Sequence, residues 1–423
     1  MLVTLLDTLL QDSANHPMLA RVIAGEVGGQ AFLVDAGSLP VVRTFGAHLA
    51  RGIACLGAGH KPCGTCPVCR DPRPPYLTHV TPLGVEFRIQ QIHEILQEST
   101  LAMEPGARRV YFLDGIEAMN EESANAFLKV LEEPPPAVVF VLATAARQQV
   151  LPTIRSRCHA LHVDFPSTVS LLEGALAGSP VPKPWLYAIL EVWGRSPSLL
   201  QQAVQPDGGP PGLSTSTPAA AAQELLGAHA SRQETEALAD PEAGLFCDLK
   251  HALDSTAFFL GSLARVLGQG TALAALDEAA AVTGWIDGVR EAVTTGLRAL
   301  ESQRRKVHGP SYVHPLFEDE MFERSYYRRV SFLAADAFLR AALLLARAAL
   351  TAGEGVEGRL LAALAAECPA LATAVGRGAG WAREVERLVS QTRSRYQSNV
   401  TLRYTLDAFL LTLALPDATA PRP

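Results

Sequence analysis

Two rhythms of apolar residues run through the first 164 positions. Short runs rich in Val, Leu and Phe stand at 31–35 (AFLVD), 110–113 (VYFL) and 138–143 (VVFVLA). None alternates apolar with polar, so they predict strands buried on both faces, as in a parallel sheet. Between them apolar positions recur every three or four residues. Residues 86–98 place Phe87, Ile89, Ile92, Ile95 and Leu96 on this rhythm and predict a helix. Residues 121–132 predict another. Asn120 suits its N-cap, Glu121 and Glu122 suit its positive end, and Pro134, Pro135 and Pro136 stop it. Strands alternating with helices predict an α/β domain.

Beyond residue 165 the strand signal fades. Residues 165–204 predict a few short helices. Residues 205–223, QPDGGPPGLSTSTPAAAAQ, have the composition of a flexible linker. Residues 224–415 are rich in Ala and Leu at helical spacing, and 416–423, PDATAPRP, predict a disordered tail. The longest apolar region, 330–350, is interrupted by Asp336, Arg340 and Arg347, which predicts an amphipathic helix and not a membrane span.

The chain has 423 residues, enough for two or three domains, and 48% of them are hydrophobic, enough for sizeable cores. Its net charge of −7 argues against coating nucleic acid by charge alone. The local basic groups Arg304, Arg305, Lys306 and Arg324, Arg328, Arg329 read equally well as solvated helix faces. The opening MLVTLLDTLLQDSANHP is apolar but has no basic start and carries Asp7 early, unlike a secretory signal. A cytoplasmic, soluble protein is the expectation.

Of seven cysteines, four crowd into CLGAGHKPCGTCPVCR: Cys55, Cys63, Cys66 and Cys69, with spacing C-x7-C-x2-C-x2-C. Four thiolates meet the tetrahedral demand of zinc and leave no open position, which predicts a structural ion. Gly57 and Gly64 allow tight turns, and His60 is a substitute ligand. Unmetallated thiols are the plainer alternative. A zinc ribbon gripping DNA also fits the spacing, with Lys61, Arg70, Arg73 and Tyr76 nearby. Cys158, Cys247 and Cys368 are scattered and read as small buried apolar residues. One tight cluster within an odd count speaks for a metal site in a reducing compartment.

The second constellation is RRVYFLDGIEAMNEESANAFLKVLEEPPPAVVFVLATAARQQVLPTIRSRC, residues 108–158. An apolar strand ending in Asp114 is a Walker B arrangement, in which a carboxylate at the strand end holds magnesium and a following acid polarises water. The following residue here is Gly115, and Glu117 is expected to point elsewhere. A second strand ends in Thr144, where a polar group can sense a γ-phosphate. Residues 31–55, AFLVDAGSLPVVRTFGAHLARGIAC, read as strand, turn and helix, a unit that often cradles phosphate through glycines and a Gly-Lys-[Ser/Thr] ending. Those places hold Val41, Val42 and Arg43.

The cysteine cluster directly after the first helix, NAFLKVLEEPPP, LATAARQQVLPTIRSRC and the late SNVTLRYTLDAFLLTLA occur in an order that resembles the bacterial DNA polymerase III clamp-loader ATPases, and within them the delta-prime branch. The resemblance implies an AAA+ α/β domain with a parallel sheet over residues 1–164, carrying an inserted zinc module at 55–69. It implies a small helical lid domain at 165–204 and an all-α C-terminal collar domain at 224–415. Residues 224–320 exceed the usual collar. Active members hold ATP on the loop matched by Val41, Val42 and Arg43. Without the lysine and hydroxyl, and with Pro40 in the turn, no ATP is expected on this chain, and Asp114 and Thr144 are remnants. In WGRSPSLLQQAV, residues 193–204, Ser198 or Leu199 stands where a basic sensor would be, and Arg195 precedes the helix.

In the family the arginine between Ser and Cys of TIRSRC enters the neighbouring subunit's ATP site as an arginine finger. Here it is Arg157, with Arg155 as its nearest competitor. Simple pairing of Arg157 with an acid at the sheet edge is the structural alternative. The implied partners are a gamma/tau-type ATPase subunit, a delta-type clamp-opening subunit, the sliding clamp and, through the complex, primer–template DNA, with no membrane and a cytoplasmic, nucleoid-associated location. Two other readings remain open at this stage. One is a working gamma/tau-type ATPase, favoured by Asp114 and Thr144. The other is a stand-alone zinc-dependent DNA-binding or scaffold protein.

Overall fold

The computed structural model describes residues 21–26, 29–36, 39–57, 62–70, 76–82, 86–101, 106–163, 165–195, 197–204, 249–308, 320–351, 353–397 and 400–415. The linker at 205–223, the tail at 416–423, Cys247, His60, Lys61 and Arg73 lie outside them. The chain forms two compact units, Met1–Phe165 and Pro166–Pro423.

The first unit is built on five parallel strands in the order β2-β3-β4-β1-β5. They are β1 (Ala31–Asp35), β2 (Leu77–Val80), β3 (Arg109–Asp114), β4 (Val138–Thr144) and β5 (His159–His162). The central three are buried almost throughout, which is why their sequences are unbroken apolar runs. The outer two, LTHV and HALH, are largely exposed and carry too few apolar residues to announce themselves.

Helices cover both faces. On one, α1 (Leu39–Ala54) lays Val41, Val42, Phe45, Leu49 and Ile53 against Val34, Val110, Phe112 and Val141. On the other, α3 (Ile89–Ser99) and α4 (Glu121–Glu132) set Ile92, Ile95, Phe127 and Leu131 against Leu33, Tyr111, Phe140 and Leu142. Phe140 stacks on Tyr111 with centroids 5.6 Å apart and meets Phe127 edge-on at 5.2 Å. The short α2 (Pro67–Arg70) lies in the cysteine module, and α5 (Pro152–Arg155) precedes β5.

The helix predicted at 121–132 has those bounds, and Asn120 Oδ1 accepts the Ser123 N–H at 2.9 Å. The helix predicted at 86–98 begins three residues later, at Ile89. Phe87 is drawn into a strand-like bridge with Met119, its N–H donating to Ala118 O at 3.1 Å.

The regular elements among the described residues of the second unit are all helices. They form α6 (Thr168–Glu173), α7 (Lys183–Trp193), α8 (Pro197–Val204), α9 (Leu249–Gln269), α10 (Ala272–His308), α11 (Glu320–Thr351), α12 (Gly355–Ala365), α13 (Pro369–Val375), α14 (Gly378–Gln397) and α15 (Leu402–Ala414). Trp193 is buried on α9, its indole N–H shared by Ala252 O and Thr256 Oγ1 at 3.0 Å each. The charges that interrupt residues 330–350 are matched internally. Asp336 accepts from Arg340 at 2.8 Å and Arg393 at 2.6 Å, and Arg347 pairs with Glu191. Arg328 and Arg329 form no open basic face: Arg329 is buried, and Arg328 sits over the Tyr396 ring at 5.8 Å. Among the described residues, no helix is long and apolar enough to cross a membrane.

Candidate functional site

Open parallel sheets bind ligands where the strands' C-terminal ends meet a reversal in strand order. Here that edge lies around β1, β3 and β4. Register places Asp35 beside Thr144 and His162, and Asp114 beside Ala143. Asp114 and Asp35 are each met by a cation of the same chain. Arg43 Nε donates to Asp114 Oδ2, and both side chains are shielded, with 14% and 0% exposure. His79 Nε2 lies 3.7 Å from the same oxygen while its ring stacks on Phe112 at 4.7 Å. Asp35 takes Arg147 Nη1 at 3.0 Å and also contacts His162 Nδ1. Val41 and Val42, at the start of α1, are buried in the core.

The structure corrects the expectation that Glu117 points away. Gly115 adopts φ +76°, and a short 3-10 turn at Ile116–Ala118 swings Glu117 back to the sheet edge. There its carboxylate meets the Thr144 hydroxyl and the Ala145 amide, with Oε2 enclosed and unmatched. Burial pushes its pKa up, the nearby Asp114 adds to the rise, and the Thr144 hydrogen bond opposes it. Thr144 itself accepts the Ala146 N–H at 3.0 Å. Strand periodicity alone gives no sign of this turn. The left-handed residue that produces it is the glycine after Asp114.

The cysteines meet as the spacing predicts. The four Sγ atoms lie within 4.8 Å of one another, with separations of 3.8 Å for Cys55–Cys66, 4.0 Å for Cys63–Cys69 and 3.6 Å for Cys55–Cys69. A tetrahedron of sulfurs around zinc has edges of about 3.8 Å, from Zn–S bonds of about 2.3 Å. The set therefore fits a four-thiolate ion. Backbone N–H groups of Gly57 and Cys63 point at Cys55 Sγ, and those of Thr65 and Cys66 at Cys63 Sγ, at 3.3–3.4 Å. The Thr65 hydroxyl and these amides pull the Cys63 thiol down to about 5, whereas burial pushes Cys69 up to about 12. A side chain at Gly57 would come within 2.8 Å of Cys63 Cβ, and Gly64 has φ +71°. Cys158 is half-buried against the core, its thiol raised to about 12 by burial, and Cys368 is buried in the second unit.

Arg157 follows α5 and is partly exposed. Its Nε donates to Glu132 Oε1 at 2.8 Å and its Nη1 to Thr153 O at 3.0 Å. The neighbouring Arg155 turns its Nε inward, away from solvent. Glu132 was not singled out from the sequence. It ends α4, 25 residues before Arg157, and only the β4 crossover brings them together.

The family model described as DNA polymerase III, delta subunit, matches residues 13–167. The chain is 30% identical over 157 residues to DNA polymerase III subunit delta' of Haemophilus influenzae, covering 36% of this chain and 48% of that protein. It is 31% identical over 168 residues to subunit delta' of Pseudomonas aeruginosa, covering 38% and 51%. It is 34% identical over 118 residues to DNA polymerase III subunit tau of Escherichia coli, covering 27% and 18%. The chain thus spans about half the length of the delta' relatives it matches. A solved gamma subunit-related protein of Thermotoga maritima is similar at 17% identity with a TM-score of 0.44, covering 94% of this chain and 98% of that one. What the chain resembles, over a stretch that nearly coincides with its first unit, is therefore the delta and delta' subunits of DNA polymerase III.

Proposed function

We propose that this chain is a delta-prime-type clamp-loader subunit that does not hydrolyse ATP and lends Arg157 to the ATP site of an adjoining gamma/tau-type subunit. With a delta-type clamp-opening subunit, the assembly would place the sliding clamp on primer–template DNA. Residues 165–204 act as the lid and 224–415 as the collar, and zinc on Cys55, Cys63, Cys66 and Cys69 is structural.

The observation that carries this reading is the Arg43–Asp114 pair. Asp114 is the carboxylate that would hold magnesium. A guanidinium of the same chain already lies on it, in a setting nearly closed to water. Magnesium and triphosphate would have to displace a buried pair whose breaking costs about 3–5 kcal/mol. No lysine stands on α1 to repay this. Arg157, by contrast, is at the surface on a permanently charged planar fork, suited to phosphate oxygens as charge develops on them.

Two measurements test the proposal. Titration of the isolated chain with magnesium and ATP should show no binding in the micromolar range, and micromolar affinity would overturn the non-hydrolysing reading. In the reconstituted complex, Arg157→Ala should lower DNA-stimulated ATP turnover at least tenfold, since fingers of this kind contribute about 10³–10⁵ in rate elsewhere. Unchanged turnover removes the finger. The tau-like similarity and the retained Asp114 and Thr144 favour a second reading, an ATPase of gamma/tau type, and the same titration decides between them.

A further inference from the structure

The guanidinium of Arg157 is heavily engaged within its own domain. Besides the 2.8 Å bond from Nε, its Nη2 also donates to Glu132 Oε1. Its Nη1 donates to Thr153 O at 3.0 Å and lies 3.4 Å from Ser156 Oγ. Arginine has five N–H donors. Four are directed at this chain's own acceptors, leaving one on Nη2. A phosphate grips the fork along an edge, through two donors at once. No edge offers two free donors, so a phosphate must displace something.

Glu132 is the partner that has to leave, because its carboxylate would stand against the phosphate's negative charge. The Thr153 carbonyl and Ser156 hydroxyl can remain on Nη1 and keep the arginine aimed. Glu132 is also an odd residue for its place. It ends α4, where the helix dipole disfavours an acid. Its pairing with Arg157 offsets that cost.

We propose that Glu132 is a latch on Arg157, holding the guanidinium against its own domain until a neighbouring subunit's nucleotide phosphates take it over. This rests on the arginine-finger reading. Glu132 is a positioning residue that acts through Arg157 and does not touch the reacting atoms. The side chains are 50% and 32% exposed, so the pair opens into water. Exposed pairs hold weakly, which suits a contact that must be released in each cycle. The latch keeps a strong phosphate ligand occupied on subunits that have not assembled or whose neighbour is empty.

The test is ATP turnover by the full reconstituted complex without DNA, with assembly of every variant checked by size-exclusion chromatography. Glu132→Gln and Glu132→Ala should each raise turnover about two- to fivefold, the range set by an exposed ion pair. The adjacent exposed Glu133→Gln should leave it unchanged. Arg157→Ala should lower turnover at least tenfold, and adding Glu132→Gln to it should change nothing more. If Arg157→Ala has no effect, the finger reading itself fails. If Arg157→Ala lowers turnover but both Glu132 variants leave it level or reduce it, the latch is wrong and the finger stands. A rise that persists in the double variant also overturns the latch, because it would not act through Arg157.

Discussion

Arg43 and Arg157 each grip a carboxylate of this chain, one inside the sheet edge and the other in water. Arg43 and Asp114 are 14% and 0% exposed, whereas Arg157 and Glu132 are 32% and 50% exposed. The chemistry is the same and the environment differs. A buried pair loses little by staying closed and much by losing one partner. An exposed pair exchanges with water at small cost. The first arrangement is built to stay closed, the second to open.

The largest expected effect lies at the cysteines, where four thiolates in one small volume need a cation more than either carboxylate does. Zinc should be present at one ion per chain, and binding it should contribute roughly 10–16 kcal/mol to folding of that module. Elemental analysis of the purified chain, followed by calorimetry after chelation, measures both. Metal-free protein with an unchanged unfolding transition would break the claim.

Next in size is Arg43→Ala. It takes the guanidinium off a fully buried Asp114 and should cost about 3–5 kcal/mol in urea unfolding. Arg43→Met combined with Asp114→Leu should recover most of that, since replacing both partners removes the uncompensated charge. If the single variant costs under about 1 kcal/mol, the pair behaves as a solvent-exposed one.

Glu117 should behave in the opposite way. Burial raises its folded pKa above the ordinary value of 4.5, so the fold favours its protonated form. Its contribution to stability is complete below the unfolded pKa and is lost as pH rises through the folded one. Glu117→Gln keeps an acceptor for the Thr144 hydroxyl and removes the titration. It should be more stable than the parent at neutral pH, because the amide carries no charge to desolvate there. The advantage should vanish near pH 4, and an equal advantage at both pH values would contradict it.

What could be read in advance follows the same division between buried and exposed. β1, β3 and β4 were legible because burial on both faces forces unbroken apolar runs. β2 and β5 were not, because LTHV and HALH are edge strands whose pairing is made by backbone and not by side chains. The cysteine cluster was legible because all four thiols lie within fifteen residues at a spacing that lets them meet. Val41 and Val42 were legible as apolar residues at the start of α1, but Arg43 reaching Asp114, 71 positions away, required the sheet. Glu117 was misread because one left-handed glycine reverses the direction that strand alternation implies.

The smallest effect is the stability change in Arg157→Ala, and it makes the comparison with Arg43 sharpest. Deleting this guanidinium removes two bonds to Glu132, one to Thr153 O and one to Ser156 Oγ, yet all the freed groups can turn to water. The net loss should stay below about 1 kcal/mol, the usual worth of an exposed pair. Measured in the same urea series as Arg43→Ala, it should be several-fold smaller. A loss near that of Arg43→Ala would mean that Arg157 is a structural brace for the end of α4. A brace of that strength could not swing free toward another subunit's phosphates. A near-silent change in stability, beside a large loss of turnover in the complex, is what a side chain kept for a neighbour should show.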